Sequence, residues 1–291
     1  MTLVQRDVMR EDGQRLRAWR GGGGAVDFLL VPGFFGDVDV FAGIEPTLAK
    51  LGGLHAWDLR GLDDPGAPAE IETHAQDGWA VLDDAGVDDV VLVGYCAGAA
   101  IALEMARVAP ERVRGFVSIA GVFGGPIERI LRRFVGPAAD TVPLALGASA
   151  FAGRGHRLPT WLADTLRSRW TLASLRLLGL VGEHADPRPL EEVLVRTFAR
   201  DAGAIAGAWA ALAEYLVEGP RAEVTVPSLW IAGGRDPLAG PMVARLAAAA
   251  GNDATVRVVR GGGHLLPVEQ SELLSLWIED FLREKTIVDA R

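Results

Sequence analysis

The sequence is poor in cysteine: Cys96 is the single thiol in 291 residues. One thiol excludes an intramolecular disulfide and is more typical of a reducing cytosol than of a secreted protein. Long apolar runs are also missing, since none approaches the roughly 20 residues that cross a bilayer. The first residues carry acid and base and lack an apolar signal core. We therefore expect a cytoplasmic protein that does not enter a membrane.

Positive charge is scarce as well. The formal net charge is −9 and no run of lysine and arginine stands out, which argues against binding of nucleic acid through its phosphates. The sequence has no His/Cys/Asp/Glu cluster with metal-ligand spacing and no Gly-x-Gly-x-x-Gly loop. We therefore expect no metal and no cofactor.

Apolar residues, at 49%, are abundant and fall into short runs separated by helical segments. Continuously apolar strands that alternate with helices predict a mostly parallel sheet buried on both faces. Two short strands, 3–9 and 15–19, precede a four-glycine stretch, Gly21–Gly24, that predicts a surface loop. The predicted buried strands are Val26–Val31, Leu54–Asp58, Asp89–Gly94, Val113–Ala120, Ser228–Ala232 and Thr255–Val259, and the predicted helices are 74–85, 97–109, 241–250 and 270–283.

The alternation stops between residues 125 and 220, where the periodicity is helical and broken by prolines. We interpret 125–220 as a helical cap inserted into a core formed by 1–124 and 221–291. The cap carries a net charge of +1 while the remainder carries −10. This contrast suits an acidic carrier protein or the phosphates of CoA, although exposed helix faces explain it equally simply.

The segment Gly94-Tyr95-Cys96-Ala97-Gly98 lies where a buried strand meets a helix. It is a Gly-x-Ser-x-Gly pattern with sulfur in place of oxygen, and the glycines allow the sharp turn that exposes a nucleophile. The helix N-terminus stabilises a thiolate, and the N–H of Ala97 is placed to donate to an oxyanion. Taken alone, the segment would equally suit an inert buried thiol.

Two further residues follow predicted strands in the order that a triad requires. Asp236 comes just after one strand and His264 just after the next, at the sheet edge where α/β proteins gather their sites. The plainer interpretations are a turn-forming aspartate before Pro237 and an ordinary loop histidine. We interpret His55 as strand packing and His74 as exposed surface at a helix start.

These three motifs together resemble the α/β-hydrolase superfamily, over nearly the whole chain outside the cap. The resemblance implies an α/β-hydrolase fold with a helical lid and a triad of Cys96, Asp236 and His264. It also implies that the N–H of Phe34 is the second oxyanion donor, although Pro32-Gly33 stands where relatives often carry His-Gly. Four residues are expected to contact substrate: Phe35, Tyr95, Trp161 and Leu265.

Sulfur at this position has a chemical consequence. A cysteine acyl-enzyme is a thioester, so its formation from a plain ester is uphill, whereas its formation from a thioester is close to neutral. Known relatives with cysteine include dienelactone hydrolases, polyhydroxyalkanoate synthases and ring-closing biosynthetic thioesterases. We therefore predict a thioesterase or acyl-transferring cyclase, in a role such as secondary metabolism. Hydrolysis of an activated lactone or a carbon–carbon bond stays open, as does a degenerate hydrolase that only binds.

Overall fold

A computed structural model describes residues 3–34, 37–61, 70–123, 169–198, 202–218 and 224–288. Within these ranges the strands form one eight-stranded sheet with the order β1-β2-β4-β3-β5-β6-β7-β8. The strands β1 and β2, and β2 and β4, pair antiparallel, and the other pairs are parallel. The strands are β1 Val4–Met9, β2 Arg15–Gly22, β3 Val26–Val31, β4 Gly52–Trp57, β5 Val90–Tyr95, β6 Val113–Ile119, β7 Ser228–Gly233 and β8 Ala254–Val259.

Helices flank this sheet. Helix α3 packs against β5 and β6, α2 packs on α3, and α7 packs on β7 and β8. No helix in the described ranges has both the length and the apolar character that crossing a membrane requires. The α-helices are α1 Glu45–Leu51, α2 Ile71–Asp84, α3 Ala97–Val108, α4 Arg169–Leu177, α5 Pro187–Phe198, α6 Ala202–Glu218, α7 Pro241–Ala248, α8 Leu266–Glu269 and α9 Ser271–Glu284.

The central strands are buried on both faces, as their continuous apolar sequences predict. Every residue of β4, β5 and β7 is buried. Helix α3 is rich in alanine and lies buried along ten of its twelve residues, so it can approach the sheet closely. The predicted α/β-hydrolase fold, with a mostly parallel sheet flanked by helices, is confirmed.

Between β6 and β7 the described chain forms α4, α5 and α6. The Oη of Tyr215 on α6 donates to a carboxylate oxygen of Glu104 on α3 over 3.1 Å, in a buried position. Arg107 satisfies the same carboxylate through two hydrogen bonds of 2.8 and 2.6 Å. This cluster anchors α6 to the core. The cap boundaries at 125 and 220 fall outside the described residues and stay predictions.

The four-glycine stretch differs from its prediction as a loop. Strand β2 continues through Gly22, which pairs with Gly53 of β4. A Cβ on Gly22 would lie 2.3 Å from the carbonyl oxygen of Gly52, and the residue has a φ of +68°. Glycine is therefore required at position 22, because the backbone at Gly52 lies too close to leave room for a side chain. The turn is confined to the residues that follow Gly22.

The prediction that His74 lies on the surface is wrong. Helix α2 begins three residues earlier, at Ile71, and His74 is fully buried. Ile71 and His74 thus face the core, whereas Glu72 of the same turn is exposed. His55, on β4, is buried as expected for strand packing, and its Nε2 lies 2.8 Å from Oδ1 of Asp27.

Candidate functional site

Cys96 sits on the sharp turn between β5 and α3. Its backbone has φ 53° and ψ −121°, a conformation that costs energy for any residue with a Cβ. A Cβ on Gly94 would lie 2.5 Å from Cα of Ala99, and one on Gly98 would lie 2.1 Å from the carbonyl oxygen of Val31. The two flanking glycines therefore permit the close packing that fixes the strained turn.

The turn after β6 supports this strained residue. The N–H of Cys96 donates to the carbonyl of Ile119 over 3.1 Å, and its own carbonyl accepts from Val122 over 3.3 Å. Ala120 between them also has a positive φ of 46° and donates to Ile231 over 2.8 Å. Hydrogen bonds to the end of β6 and to the turn that follows it thus hold the backbone of Cys96 in place.

Asp236 and His264 follow β7 and β8, which are neighbouring parallel strands. Nδ1 of His264 lies 2.8 Å from Oδ2 of Asp236, and both side chains are buried. The other oxygen of Asp236 accepts from the N–H groups of Leu238 and Ala239 at 2.8 and 3.0 Å. The carboxylate is therefore fully engaged and holds the imidazole in one orientation.

The electrostatics of His264 tie it to both neighbours. Burial alone would lower the pKa of His264. The charge of Cys96, hydrogen bonds to Asp236 and Cys96, and the charge of Asp236 outweigh burial and raise that pKa from 6.5 to about 10. Cys96 and Asp236 therefore both favour the protonated form of this buried imidazole. The three residues that the sequence singles out are brought together, and such an array can move a proton between sulfur and imidazole.

Tyr95 lies behind the histidine, and its ring centroid is 5.6 Å from that of His264 with an angle of 42° between the ring planes. Burial raises the pKa of Tyr95 well above 10, and the charges of Cys96, Asp236 and Glu269 act in the same direction. Tyr95 therefore stays a neutral phenol that packs against the imidazole.

Both candidate oxyanion donors lie next to the strained turn. A Cβ on Gly33 would lie 2.7 Å from Cβ of Cys96 and 3.4 Å from N of Ala97, so this loop lies directly against the turn. Phe34 is fully buried, and its ring meets Trp209 of α6 edge-on, with centroids 5.9 Å apart. The Phe34 ring thus connects the loop that lies against Cys96 to α6.

The remaining predicted contacts have mixed outcomes. Leu265 is buried directly after His264, at the start of α8. Phe35 and Trp161 lie outside the described residues. Within the described ranges no group of three or more His, Cys, Asp or Glu side chains is arranged to hold a metal ion.

Two residues near the array were not predicted from the sequence. The position of Trp209 against Phe34 depends on a long-range contact that no local pattern reports. Glu269 accepts hydrogen bonds from Gly182 and Gly263 at 3.0 Å each. The only signal for Glu269 was an acid five residues after the histidine, which by itself indicates nothing.

Comparison with known proteins agrees with this fold. A family model described as the alpha/beta hydrolase fold matches residues 28–270. The pimeloyl-acyl-carrier-protein methyl ester esterase of Stenotrophomonas maltophilia (strain K279a) is 29% identical over 239 residues, which are 82% of this chain and 85% of that protein. A hydrolase structure from Pseudomonas aeruginosa PA01 superposes with a TM-score of 0.76 at 20% identity, covering 96% of this chain and 98% of that one.

A second solved structure, an N-acyl homoserine lactone degrading enzyme, superposes with a TM-score of 0.72 at 19% identity. The match covers 95% of this chain and all of that chain. At this level of identity the two structural similarities concern the fold alone.

Proposed function

This chain belongs to the alpha/beta hydrolase family, and on that premise we propose that it transfers acyl groups through a covalent intermediate on Cys96. One observation carries the proposal: the single thiol lies on the strained turn and is hydrogen-bonded to a buried imidazole, whose Nδ1 lies 2.8 Å from the carboxylate of Asp236. Transfer of the Cys96 proton to this imidazole supplies the thiolate that attacks the substrate.

In the first half of the reaction the Cys96 thiolate attacks the acyl carbon of the substrate. The negative charge moves to the acyl oxygen, where the N–H groups of Phe34 and Ala97 would stabilise it. The intermediate collapses with loss of a thiolate, which takes the proton from Nε2 of His264 and leaves as a thiol. Cys96 then carries the acyl group as a thioester.

In the second half a water molecule or a nucleophile within the acyl chain attacks that thioester. His264, now neutral, accepts the proton of the attacking group, and Asp236 holds the imidazole in the tautomer that can do so. Collapse releases the acid or the cyclised product and restores the Cys96 thiolate beside the imidazolium. The cycle needs no metal and no redox partner, because every proton and electron pair is accounted for.

A thioester is the substrate class that sulfur favours. Exchange of one thioester for another is nearly neutral in free energy, whereas capture of a plain ester by cysteine is uphill. The relative that shares 29% identity is, by its name, an esterase for the methyl ester of a pimeloyl group on an acyl carrier protein, so it supports the carrier and not the thioester as the bond attacked. We infer that the acyl group here arrives on CoA or on a carrier protein, in the cytoplasm.

Hydrolysis of an activated lactone is the second candidate. The observation in its favour is the same buried arrangement of Cys96, His264 and Asp236, since opening of a strained or activated ring offsets the cost of forming a thioester. Cleavage of a carbon–carbon bond would need an enolate to leave. A protein that binds without reacting would have little use for an imidazole held at 2.8 Å by a buried carboxylate.

Intact-mass spectrometry distinguishes these candidates. The protein is incubated with acyl thioesters of CoA and of pantetheine, with matched oxygen esters and with activated lactones, and the mass of the chain is followed with time. We expect acyl adducts from thioesters in the wild type and none in Cys96→Ala. Adducts from lactones alone would favour the second candidate, and the absence of any adduct from a thiol that alkylates normally would refute covalent acyl transfer.

A further inference from the structure

We propose that Glu269 is a positioning residue, which fixes the loop of His264 by hydrogen bonds that also tie this loop to the segment joining α4 and α5. Glu269 ends α8, five residues after His264. One oxygen, Oε2, accepts from the N–H of Gly263, directly before the histidine, and from the N–H of Gly182, each over 3.0 Å. A single carboxylate oxygen therefore joins two backbone segments that are far apart in sequence.

The segment Leu178–Asp186, called here the connecting segment, also contacts the histidine loop through its own backbone. The N–H of His264 donates to the carbonyl of Leu180 over 3.0 Å, and the N–H of Glu183 donates to Gly261 over 3.3 Å. The main-chain nitrogen of the histidine is thus held by a residue that lies between β6 and β7. A shift of the connecting segment would therefore move the backbone of His264 and, with it, the imidazole.

Glycines permit this contact. A Cβ on Gly263 would lie 2.7 Å from the carbonyl oxygen of Leu180 and equally close to the backbone of Val181. A Cβ on Gly182 would lie 2.5 Å from Oε2 of Glu269 and 3.1 Å from the carbonyl oxygen of Gly261. The two backbones therefore pack together without intervening side chains at these glycines. The carboxylate of Glu269 lies at the same contact, next to Gly182.

The connecting segment is tied to the aspartate loop as well. Nη2 of Arg235, the neighbour of Asp236, donates to the carbonyl of Arg176 over 3.0 Å, and Nη1 lies 3.1 Å from a carboxylate oxygen of Glu183. A Cβ on Gly179 would lie 2.3 Å from the carbonyl oxygen of Arg235. The same segment thus braces the loops of both Asp236 and His264, and Glu269 is the side chain at the histidine end.

Glu269 is held there at a cost. Burial raises the pKa of its carboxyl group, while the backbone hydrogen bonds and the charge of His264 act against that rise. Its second oxygen, Oε1, is buried without a hydrogen-bond partner among the described residues. A buried carboxylate with one unsatisfied oxygen is a poor device for stability alone. Its two backbone contacts instead give the orientation of His264 a defined anchor.

The test uses the thiol itself, because Cys96 is the only cysteine and every alkylation event reports on it. Alkylation by iodoacetamide at pH 7 is followed by intact mass in the wild type, Glu269→Ala, Glu269→Gln and Gly182→Ala. We expect the alkylation rate to fall roughly tenfold in Glu269→Ala and in Gly182→Ala. This is no more than the loss of rate that displacing His264 by about 1 Å can cause. Glu269→Gln keeps an acceptor oxygen for both N–H groups and should retain most of the rate.

The NMR titration of the His264 ring is the second readout, with its signals assigned by loss in His264→Ala. We expect its pKa to fall in Glu269→Ala, because the hydrogen bonds to Asp236 and Cys96 that raise it would weaken, and to stay high in Glu269→Gln. Glu272→Gln removes an exposed carboxylate from the next helix turn and is the matched control. A role in stability alone would lower the melting temperature and leave both the alkylation rate and the titration unchanged.

Two results would overturn the proposal. One is wild-type alkylation in folded Glu269→Ala and Gly182→Ala, and the other is an equally slow rate in Glu269→Gln, since that variant keeps the hydrogen bonds. If Glu269→Ala does not fold, Gly182→Ala and Glu269→Gln still decide the matter. The proposal rests on the proposed function for the role of His264, but iodoacetamide needs no substrate, so a failure to find a thioester substrate leaves this test intact.

Discussion

Nδ1 of His264 lies 2.8 Å from Oδ2 of Asp236, across two loops that follow adjacent parallel strands. The other oxygen of that carboxylate is held by two backbone N–H groups, from Leu238 and Ala239. Rotation of the Asp236 side chain would break at least two hydrogen bonds, so the acceptor facing the imidazole is fixed. The tautomer of His264 is fixed with it, because Nδ1 must then carry a proton.

Asp236→Asn should fold normally and lose most of its activity. The asparagine oxygen can still accept from Leu238 and Ala239, which leaves its N–H₂ group facing Nδ1 of His264. The imidazole must then place its lone pair at Nδ1 and its proton at Nε2, where it can no longer take a proton from Cys96. Loss of a triad acid costs up to ~10⁴ in rate, and a cysteine–histidine pair is expected to lose less.

This variant is measured by turnover of any acyl thioester that acylates Cys96 and by iodoacetamide alkylation at pH 7. Asp84→Asn, which changes an exposed carboxylate at the end of α2, is the matched control and should behave as wild type. Near wild-type rates in a folded Asp236→Asn protein would remove Asp236 from the mechanism.

The position of the array could be predicted because its signals are local. Cys96 lies between an apolar strand and an alanine-rich helix, and Asp236 and His264 each follow an apolar strand. Parallel strands share one carboxyl edge, so three residues far apart in sequence meet there. The chain order then suffices to bring the three side chains together without any knowledge of tertiary contacts.

Elements whose form depends on distant neighbours were missed. Helix α1 was not predicted. Gly21 and Gly22 belong to β2 because they pair with β4, which lies far away in the sequence. His74 was expected on the surface, since a polar residue near a helix start usually faces water. Helix α2 packs against α3, β4 and other elements, and the sequence of α2 alone does not specify which of its sides they cover. The consequence is a buried base whose ionisation opposes folding.

His74→Leu should make the protein less sensitive to acid. Burial first, and then the nearby charge of Arg60, lower the pKa of His74 from 6.5 to about 3. Below pH 6.5 His74 binds a proton in the unfolded chain but stays neutral in the folded protein. This difference lowers the free energy of unfolding as the pH falls towards 3. At pH 5 the loss is roughly 2 kcal/mol, by the conversion of about 1.4 kcal/mol per pH unit.

The measurement is denaturant unfolding at pH 7.5 and at pH 5. The loss of stability between the two should be smaller in His74→Leu than in the wild type, because both ring nitrogens are buried without partners among the described residues and leucine removes them. His184→Leu, at an exposed histidine, is the control and should keep the wild-type pH dependence. An equally steep loss in His74→Leu would show that His74 does not ionise on unfolding in this range.

The link between Glu269 and the connecting segment was beyond sequence analysis for a related reason. Glu269 and Gly182 are separated by 87 positions, and neither lies in a periodic pattern that predicts the other. A run of glycines such as Gly261–Gly263 can mark a flexible loop, whereas at Gly263 the structure requires close backbone approach. Glycine signals both situations in a sequence, and only the tertiary contacts separate them.

Cys96→Ser should keep the fold and change the products. Sulfur and oxygen are nearly isosteric, and the strained turn between Gly94 and Gly98 does not depend on which atom the side chain ends in. The alcohol is much harder for His264 to deprotonate than the thiol, so acylation should survive only weakly. The acyl-enzyme would be an oxygen ester, which reacts less readily with a weak nucleophile within the acyl chain.

Transfer or ring closure should therefore fall further than acylation, and stalled acyl-enzyme or hydrolysed acid should accumulate. The pKa of His264 should fall as well, because the charge of the Cys96 thiolate is among the causes that raise it. Acyl-enzyme is counted by intact mass and products by chromatography, with Cys96→Ala as the control that forms no adduct. A serine variant that matches the wild type in both rate and product ratio would make the sulfur incidental, and the argument for acyl transfer over simple hydrolysis would then fail.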